Sequence, residues 1–517
     1  MKSIMGNRFS NAPSVDIPRS TFDRSHGVKT TFDAGYLVPI LVDEALPGDT
    51  FNVNLTGFAR LATPVFPIMD NMRMDTFFFA IPKRLLWENW QKFCGERVDP
   101  GDSIDYTVPV INDLLNASNE SLWDYMGIPT QVTSSFDINA FLPRAYNLCW
   151  NEWFRDQNLQ DTVTVNKGDG PDSASDYTLL KRCKRHDYFT SCLPWLQKGD
   201  SVMVSLGESA TVIPSNSAAD FPTFRNDTGT ITGLRGNAGT AAYFTTTVEN
   251  ENLRWQNAGL QADLSTAEGS SINELREAFQ VQRLLEKDAR SGTRYTEILK
   301  SHFGVTSDDS RLQRPEYLGG GSTPVIVTPI ARTDSSPGTL GAMGVAAFKG
   351  HGFTKSFTEH SVIIGLVNVR ADLTYQEGLD RMWSRQTRYD YYWPTLAHLG
   401  EQAVLNKEIY IDSTTIGSGA SEEVFGYQER FAEYRYKPSK ITGKFRSNDS
   451  ASLDSWHLGI EFGAQPTLDD DFITDNPPVD RVIATPTEPH FIYDSYINMQ
   501  CTRPMPTYSI PGYVDHF

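Results

Sequence analysis

The sequence predicts a mainly β protein: eight strands in two facing four-stranded sheets, with long loop insertions that carry short helices. Three observations lead there. Runs of strand character recur along the chain, some alternating and some continuously β-branched. Long irregular stretches separate them. Aromatic content is high, with 29 Phe and 21 Tyr, which suits β packing and interfaces. At 517 residues, 39% of them hydrophobic and 21% charged, the chain is globular in composition and long enough for a large core.

The formal net charge is −18. A protein that surrounds a nucleic acid must neutralise phosphates with clustered Lys and Arg. Here the cations must gather on one face, or a small basic partner must supply them. The acidic remainder would keep particles soluble and apart. The five cysteines, Cys94, Cys149, Cys183, Cys192 and Cys501, are odd in number and scattered. That is no disulfide framework and fits a reducing cytoplasm. The start, MKSIMGNRFSNAPS, has no apolar signal region, and no run approaches the roughly 18 apolar residues of a membrane span.

Taken in order, residues 1–34 read as a polar extended arm in which Arg8, Arg19, Arg24 and Lys29 could touch nucleic acid or a neighbour, or equally as a terminus that hugs the surface or frays. Residues 35–517 read as one domain. Tyr36–Val42 and Phe51–Phe58 are strands around a Pro47-Gly48-Asp49 turn. Met72–Ile81 is a strand closed by Pro82, and Arg84–Phe93 a short amphipathic helix. Short helices are expected at Ile111–Leu115 and Leu142–Gln157. Lys181, Arg182, Lys184 and Arg185 form the densest basic run, suited to phosphate or, more commonly, to salt bridges. Cys183, His186 and Cys192 lack a zinc spacing and a fourth ligand, so no metal is assigned.

Residues 202–263 are rich in Gly, Ala, Ser, Thr and Asn and punctuated by Gly229, Gly233, Gly236 and Gly239, with one strand expected at Tyr243–Val248. A loop of this length folds on itself or against symmetry mates. A helical segment at 271–303 follows. Ser271 and Glu274 form a capping box. Leu275, Phe279 and Leu285, flanked by Ala278, Val281 and Leu284, give an apolar stripe, with Gly292 as the stop. A second helix covers Tyr295–Phe303. Gly319-Gly320-Gly321 then ends a loop before the β-branched run at Val325–Val327.

Val362–Val369 reads as a buried strand. TRYDYYWP, from Thr387, packs aromatics beside Arg385 and Arg388. Val424–Pro438 alternates, with Ala432, Tyr434 and Tyr436 on one face and Phe431, Glu433, Arg435 and Lys437 on the other. Between Arg430 and Arg446, cations and rings interleave as a sequence-tolerant single-strand surface requires. Arg430, Tyr434, Arg435, Tyr436, Lys437, Lys440, Lys444 and Arg446 are therefore the leading nucleic-acid candidates, although an aromatic subunit interface looks the same. Trp456–Phe462 and Phe491–Met499 are further strands. Asp469, Asp470, Asp471 and Asp475 read as a solvated acidic loop without a calcium-loop pattern. The tail from Cys501 lies along the surface or clamps a neighbour.

Several segments carry a resemblance. LLEKDARSGTRYTEILKSHFGV from Leu284 and RPEYLGGGSTPV from Arg314 closely resemble the gokushovirus major capsid proteins of the Microviridae, relatives of the microvirus F capsid protein. So do FDAGYLVPILVDEALPGDTF from Phe32, DTFFFAIPKRLLWENW from Asp75 and YQERFAEYRYKPSKITG from Tyr427. The resemblance implies a single jelly roll and a closed icosahedral shell of the simplest (T=1) kind around circular single-stranded DNA. It also implies a small basic internal DNA-binding protein, scaffolding or minor capsid helpers, and a variable projection on the outside. We assign that projection to 202–263, with Arg225, Asp227, Arg235, Asn237 and Tyr243 as candidates for contact with a host receptor.

Two other classes compete. A jelly-roll glycoside-active or carbohydrate-binding protein could use Asp372, Glu377 and Asp380, but carboxylates close in sequence are common on solvated turns, and nothing marks these as buried or tuned. A separate host-binding spike would explain 202–263 but not the basic-aromatic segment. The shell reading, with no catalytic residue and no cofactor, accounts for both.

Overall fold

In a computed structural model, the described residues are 17–115, 117–203, 271–331, 340–411 and 419–508, together with the backbone of short strands between 211 and 263. The chain divides into two compact units, Met1–Leu196 with Ser291–Phe517, and Gln197–Arg290.

The first unit is built on nine antiparallel strands: β1 (Ser20–Asp23), β2 (His26–Phe32), β3 (Val38–Ala45), β4 (Thr50–Leu61), β5 (Met72–Pro82), β6 (Glu316–Ala331), β7 (Leu340–Ser356), β8 (Ser361–Ala371) and β9 (Phe491–Arg503). Their order is β1-β9-β4-β7-β6-β5-β8-β3, with β2 also on β9. One strand changes partner midway. Glu316–Val325 of β6 pairs with β5, and Ile326–Ala331 pairs with β7. The sheet thereby curls into two halves that share one core, the jelly roll expected from the sequence. The strands number nine because much of the expected arm is not free. Residues 20–32 hydrogen-bond to the edge of β9. Arg24 donates to Asp43 at 2.6 Å, and Lys29 lies 3.7 Å from Asp494. Arg19 is exposed, and Arg8 lies outside the described residues.

The two halves differ in burial. In β4, Phe51, Val53, Leu55, Ala59 and Leu61 are buried, whereas Asn52, Asn54, Thr56, Phe58 and Arg60 are exposed. That is the alternation of a sheet with one wet face. By contrast, β8 is buried from Ser361 to Val369. Ile363, Val367 and Val369 pack into the core between the halves with Phe78 and Met74. Val362, Ile364 and Leu366 point the other way, into a second core under residues 83–180. A helix, α1 (Phe141–Cys149), continues through a π turn at Trp150–Phe154 and supplies much of that cover. Its apolar side chains make the lid, and Arg144 pins it. Arg144 binds Asp172 through two 2.7 Å bonds, and both side chains are almost fully buried. Asp172 also accepts from Tyr177 and Asn166. Burial alone would raise the Asp172 pKa, but the bonds from Arg144 and Tyr177 outweigh it and hold the carboxyl below its usual range.

Several local expectations are corrected by tertiary contacts. Ile111–Leu115 lies not in a helix but largely in a strand, Val110–Leu114, paired with Phe136–Asn139. The 84–93 helix is two short ones, Lys83–Leu86 and Trp90–Phe93, split at an extended Trp87 whose buried indole donates to Asp169. Gly319-Gly320-Gly321 sits inside β6 because a Cβ at Gly320 would overlap the Thr76 carbonyl and one at Gly321 the His351 ring. Residues 457–462 are irregular after a 3-10 turn at Asp454–Trp456. The strand from Val424 ends at Glu429. The chain then turns at Phe431, which holds φ 63°, into a 3-10 turn at Ala432–Tyr434, because the Phe431 ring is buried against Tyr392.

In the second unit, α2 (Ile272–Arg290) carries the expected capping box: Ser271 N–H donates to Glu274, and Glu274 N–H to Ser271. Most of its apolar stripe is exposed. Ile272, Leu275, Phe279, Val281 and Leu284 are exposed. Back in the first unit, Gly292 adopts φ 95° and α3 spans Tyr295–Phe303 as read.

The Arg144–Asp172 pair makes a prediction. Arg144→Met leaves a buried carboxylate unpaired and should cost about 3–5 kcal/mol in denaturant unfolding. A loss below about 1 kcal/mol would show that the pair does not fix the lid.

Candidate nucleic-acid interface

Residues 372–490 link β8 to β9 and wrap a third core. A hairpin of Glu401–Leu405 and Val424–Glu429 supports it. Over this frame the structure joins two segments far apart in sequence, TRYDYYWP and 430–446. Tyr392 meets Phe431 and Tyr434 at ring distances of 5.4 and 6.4 Å. The Arg385 guanidinium lies 4.3 Å over Tyr434 and 5.5 Å over Tyr391. It also pairs with Glu433 at 3.1 Å. Arg430 donates to the Tyr389 carbonyl and covers the Phe431 ring, and Arg388 covers Trp393 at 4.7 Å. Tyr389, Tyr391, Tyr392, Trp393, Tyr434 and Tyr436 nonetheless remain 42–69% exposed. The surface is thus a held array of rings with cations among them.

The individual candidates divide. Lys437, Lys440 and Lys444 are exposed and have no carboxylate partner among the described residues. Arg435 is half-exposed and paired with Glu429, whose hydrogen bond holds the guanidinium pKa up. Arg446 is half-buried. Tyr434 and Tyr436 share an exposed surface, but Ala432 does not join them as the alternating strand required: it is buried. Sequence reading missed Arg385, Arg388, Tyr389, Tyr391, Tyr392 and Trp393 as site residues. The aromatic density of TRYDYYWP was the available signal, but its pairing with 430–446 is tertiary.

The basic run is mostly engaged inside the protomer. Lys181 donates to Asn476 and lies over Tyr36, Arg182 binds Asp75 at 3.0 Å, and Lys184 donates to the Phe472 carbonyl. Arg185 is the exposed member, 4.0 Å from Asp372. Behind the run, Asp475 is 4% exposed, not solvated as the acidic-loop reading required. Burial raises its pKa to about 6, and Lys184, Arg182, Arg370 and Lys181 offset only part of that. Asp469 caps the helix Asp470–Ile473 by accepting from Phe472 N–H, and Asp470 accepts from Gln160.

Other carboxylates and thiols are equally committed. Asp372 accepts from Asn71, Glu377 from Phe462 N–H, and Asp380 from Met382 N–H. Cys192 is buried in the third core, and burial lifts the Cys183 thiol to about 11. Among the described residues no three His, Cys, Asp or Glu gather as metal ligands, and no helix is long and apolar enough to cross a membrane. Of the projection candidates, Arg225 pairs with Ile231 and Arg254, and Arg235 with Tyr243, on short strands. Asp227, Asn237 and 244–248 lie outside the described residues.

A jelly roll with large insertions is an architecture that viral shell proteins use. The family model for the capsid protein (F protein) matches residues 10–513, and this chain belongs to that family. It is 48% identical to capsid protein VP1 of Bdellovibrio phage phiMH2K over 98% of each chain. It is 44% identical to capsid protein VP1 of Chlamydia phage 1, over 99% of this chain and 98% of that one. Identity to capsid protein VP1 of Spiroplasma virus 4 is 35%, over 98% and 97%. The chain is a structural protein of a virion.

Asp475 gives a pH prediction. Its raised pKa means that the folded chain holds the proton more tightly than the unfolded chain. That contribution to stability is full below about pH 4 and is lost as pH rises through about 6. Asp475→Asn cannot ionise, so it should gain stability relative to the natural chain between about pH 4 and pH 7. Thermal melts across that range check it; a difference independent of pH would contradict the assignment.

Proposed function

We propose that this capsid protein closes a T=1 icosahedral shell around circular single-stranded DNA and meets the DNA through the surface built from 385–393 and 430–446. One observation carries the reading. In a chain of net charge −18, the fold gathers Arg388, Arg430, Lys437, Lys440 and Lys444 among exposed rings. Cations serve phosphates and rings serve bases, without sequence preference. A small basic internal protein supplies the charge that this surface cannot, and scaffolding or minor capsid proteins assist assembly in the host cytoplasm. Contacts between copies are individually weak and close together by symmetry. The exposed apolar stripe of α2 favours contact between copies there. The 202–263 segment, with Arg225, Asp227, Arg235, Asn237 and Tyr243, forms the outer projection that meets a host receptor. The chain carries no enzymatic role in this reading.

Replacing Arg388, Lys437 and Lys444 together with Gln should weaken single-stranded DNA binding. It should also lower the slope of log K against log salt by about 2, from three phosphate contacts at roughly 0.7 each. An unchanged slope would remove this surface from the DNA. Deleting 207–260 should leave soluble protein and particles but impair adsorption to cells; loss of all soluble protein would make the segment structural instead.

A further inference from the structure

Residues of the 372–490 insertion, with Tyr188 and Phe189, line a cavity of about 240 Å³. Small-molecule pockets usually span roughly 300–1,000 Å³, so this one suits a single flat group rather than a long ligand. Its floor is aromatic, with Tyr188 and Tyr375 buried. The charges beside that floor are closed on each other. Arg381 binds Glu408 at 3.0 Å and Arg385 binds Glu433 at 3.1 Å. Asp380, the remaining acid on the wall, accepts from Met382 N–H.

The mouth is different. Lys437, Lys440 and Arg446 line it, and none has a carboxylate partner among the described residues. Tyr436 stands with them, 52% exposed. Whereas the Tyr434 ring carries the Arg385 guanidinium, no ring or cation covers Tyr436 among the described residues. A free ring, three uncompensated cations and an enclosed space for one flat group match the parts of a nucleotide: base, phosphate and little else.

We propose that this cavity takes one nucleotide of a single-stranded chain, its base drawn in against Tyr436 and its phosphate held by Lys437, Lys440 and Arg446. The proposal rests on the reading that this surface meets DNA, and narrows it to a fixed contact point on each protomer. A single strand pays little to turn one base out of its stack, and stacking accepts any base. The strand is thus pinned once per protomer whatever its sequence.

The test titrates the purified full-length chain, at low salt, with deoxyadenosine monophosphate, inorganic phosphate and a long oligothymidylate. The mononucleotide should bind saturably and at least about fivefold tighter than phosphate, since stacking contributes about 1–3 kcal/mol per base. Tyr436→Leu should remove about 5- to 100-fold of that affinity and leave phosphate binding unchanged. Ser439→Trp, which fills the cavity from its lip without altering the ring or the cations, should do the same. The proposal is overturned if the mononucleotide binds no tighter than phosphate, or if neither variant weakens it. Should the oligothymidylate still bind with a salt-sensitive affinity in that case, the cavity alone fails and the DNA surface stands. Should the oligothymidylate not bind while the mononucleotide does, the surface reading fails and the cavity remains a nucleotide site.

Discussion

Burial of the β3-β5-β8 half of the sheet on both faces is the constraint on which the rest of the first unit depends. Ile363, Val367 and Phe78 complete the core between the two halves. Val362, Ile364, Phe79 and Ile81 would be left in water on the other side. At about 25 cal/mol per Å² of apolar surface, that face cannot stay bare. The insertion of residues 83–180 covers it, and the Arg144–Asp172 pair holds the cover in one arrangement. A charge pair so buried adds little net stability over an apolar substitute, but it is costly to break. Its effect is to fix where the lid sits.

The second constraint is charge. A protein of net charge −18 does not attract a polyanion as a whole. The fold spends many cations internally, with Arg24 on Asp43, Arg182 and Arg370 on Asp75, and Arg503 on Asp49. The insertion between β8 and β9 does the reverse. Its floor ties Arg381 and Arg385 to Glu408 and Glu433 and leaves the lysines beyond them unpaired. The proposal of a DNA surface rests on that local excess among aromatic rings.

The main strands could be read in the sequence because burial wrote them there. Phe51–Phe58 alternates since one face is wet, and Val362–Val369 is continuous since neither face is. The short elements could not, because non-local contacts set them. Ile111 joins a strand through its pairing with Ile138, and Phe431 breaks the expected strand to bury its ring on Tyr392. The candidate interface was half legible: 430–446 stood out by composition, but its partner 385–393 joins it only in three dimensions. The basic run at 181–185 suited salt bridges more than phosphate, but its partners could not be read, since Asp75, Asn476 and the Phe472 carbonyl come from remote segments.

The most direct test of the account is sedimentation of this chain from phage-producing cells, with and without nuclease, followed by assay of each fraction for the chain and for DNA. One sharp, fast peak holding both the chain and nuclease-protected single-stranded DNA is the predicted result. A slow peak of free monomer or small oligomer, under conditions that yield infectious phage, would contradict it.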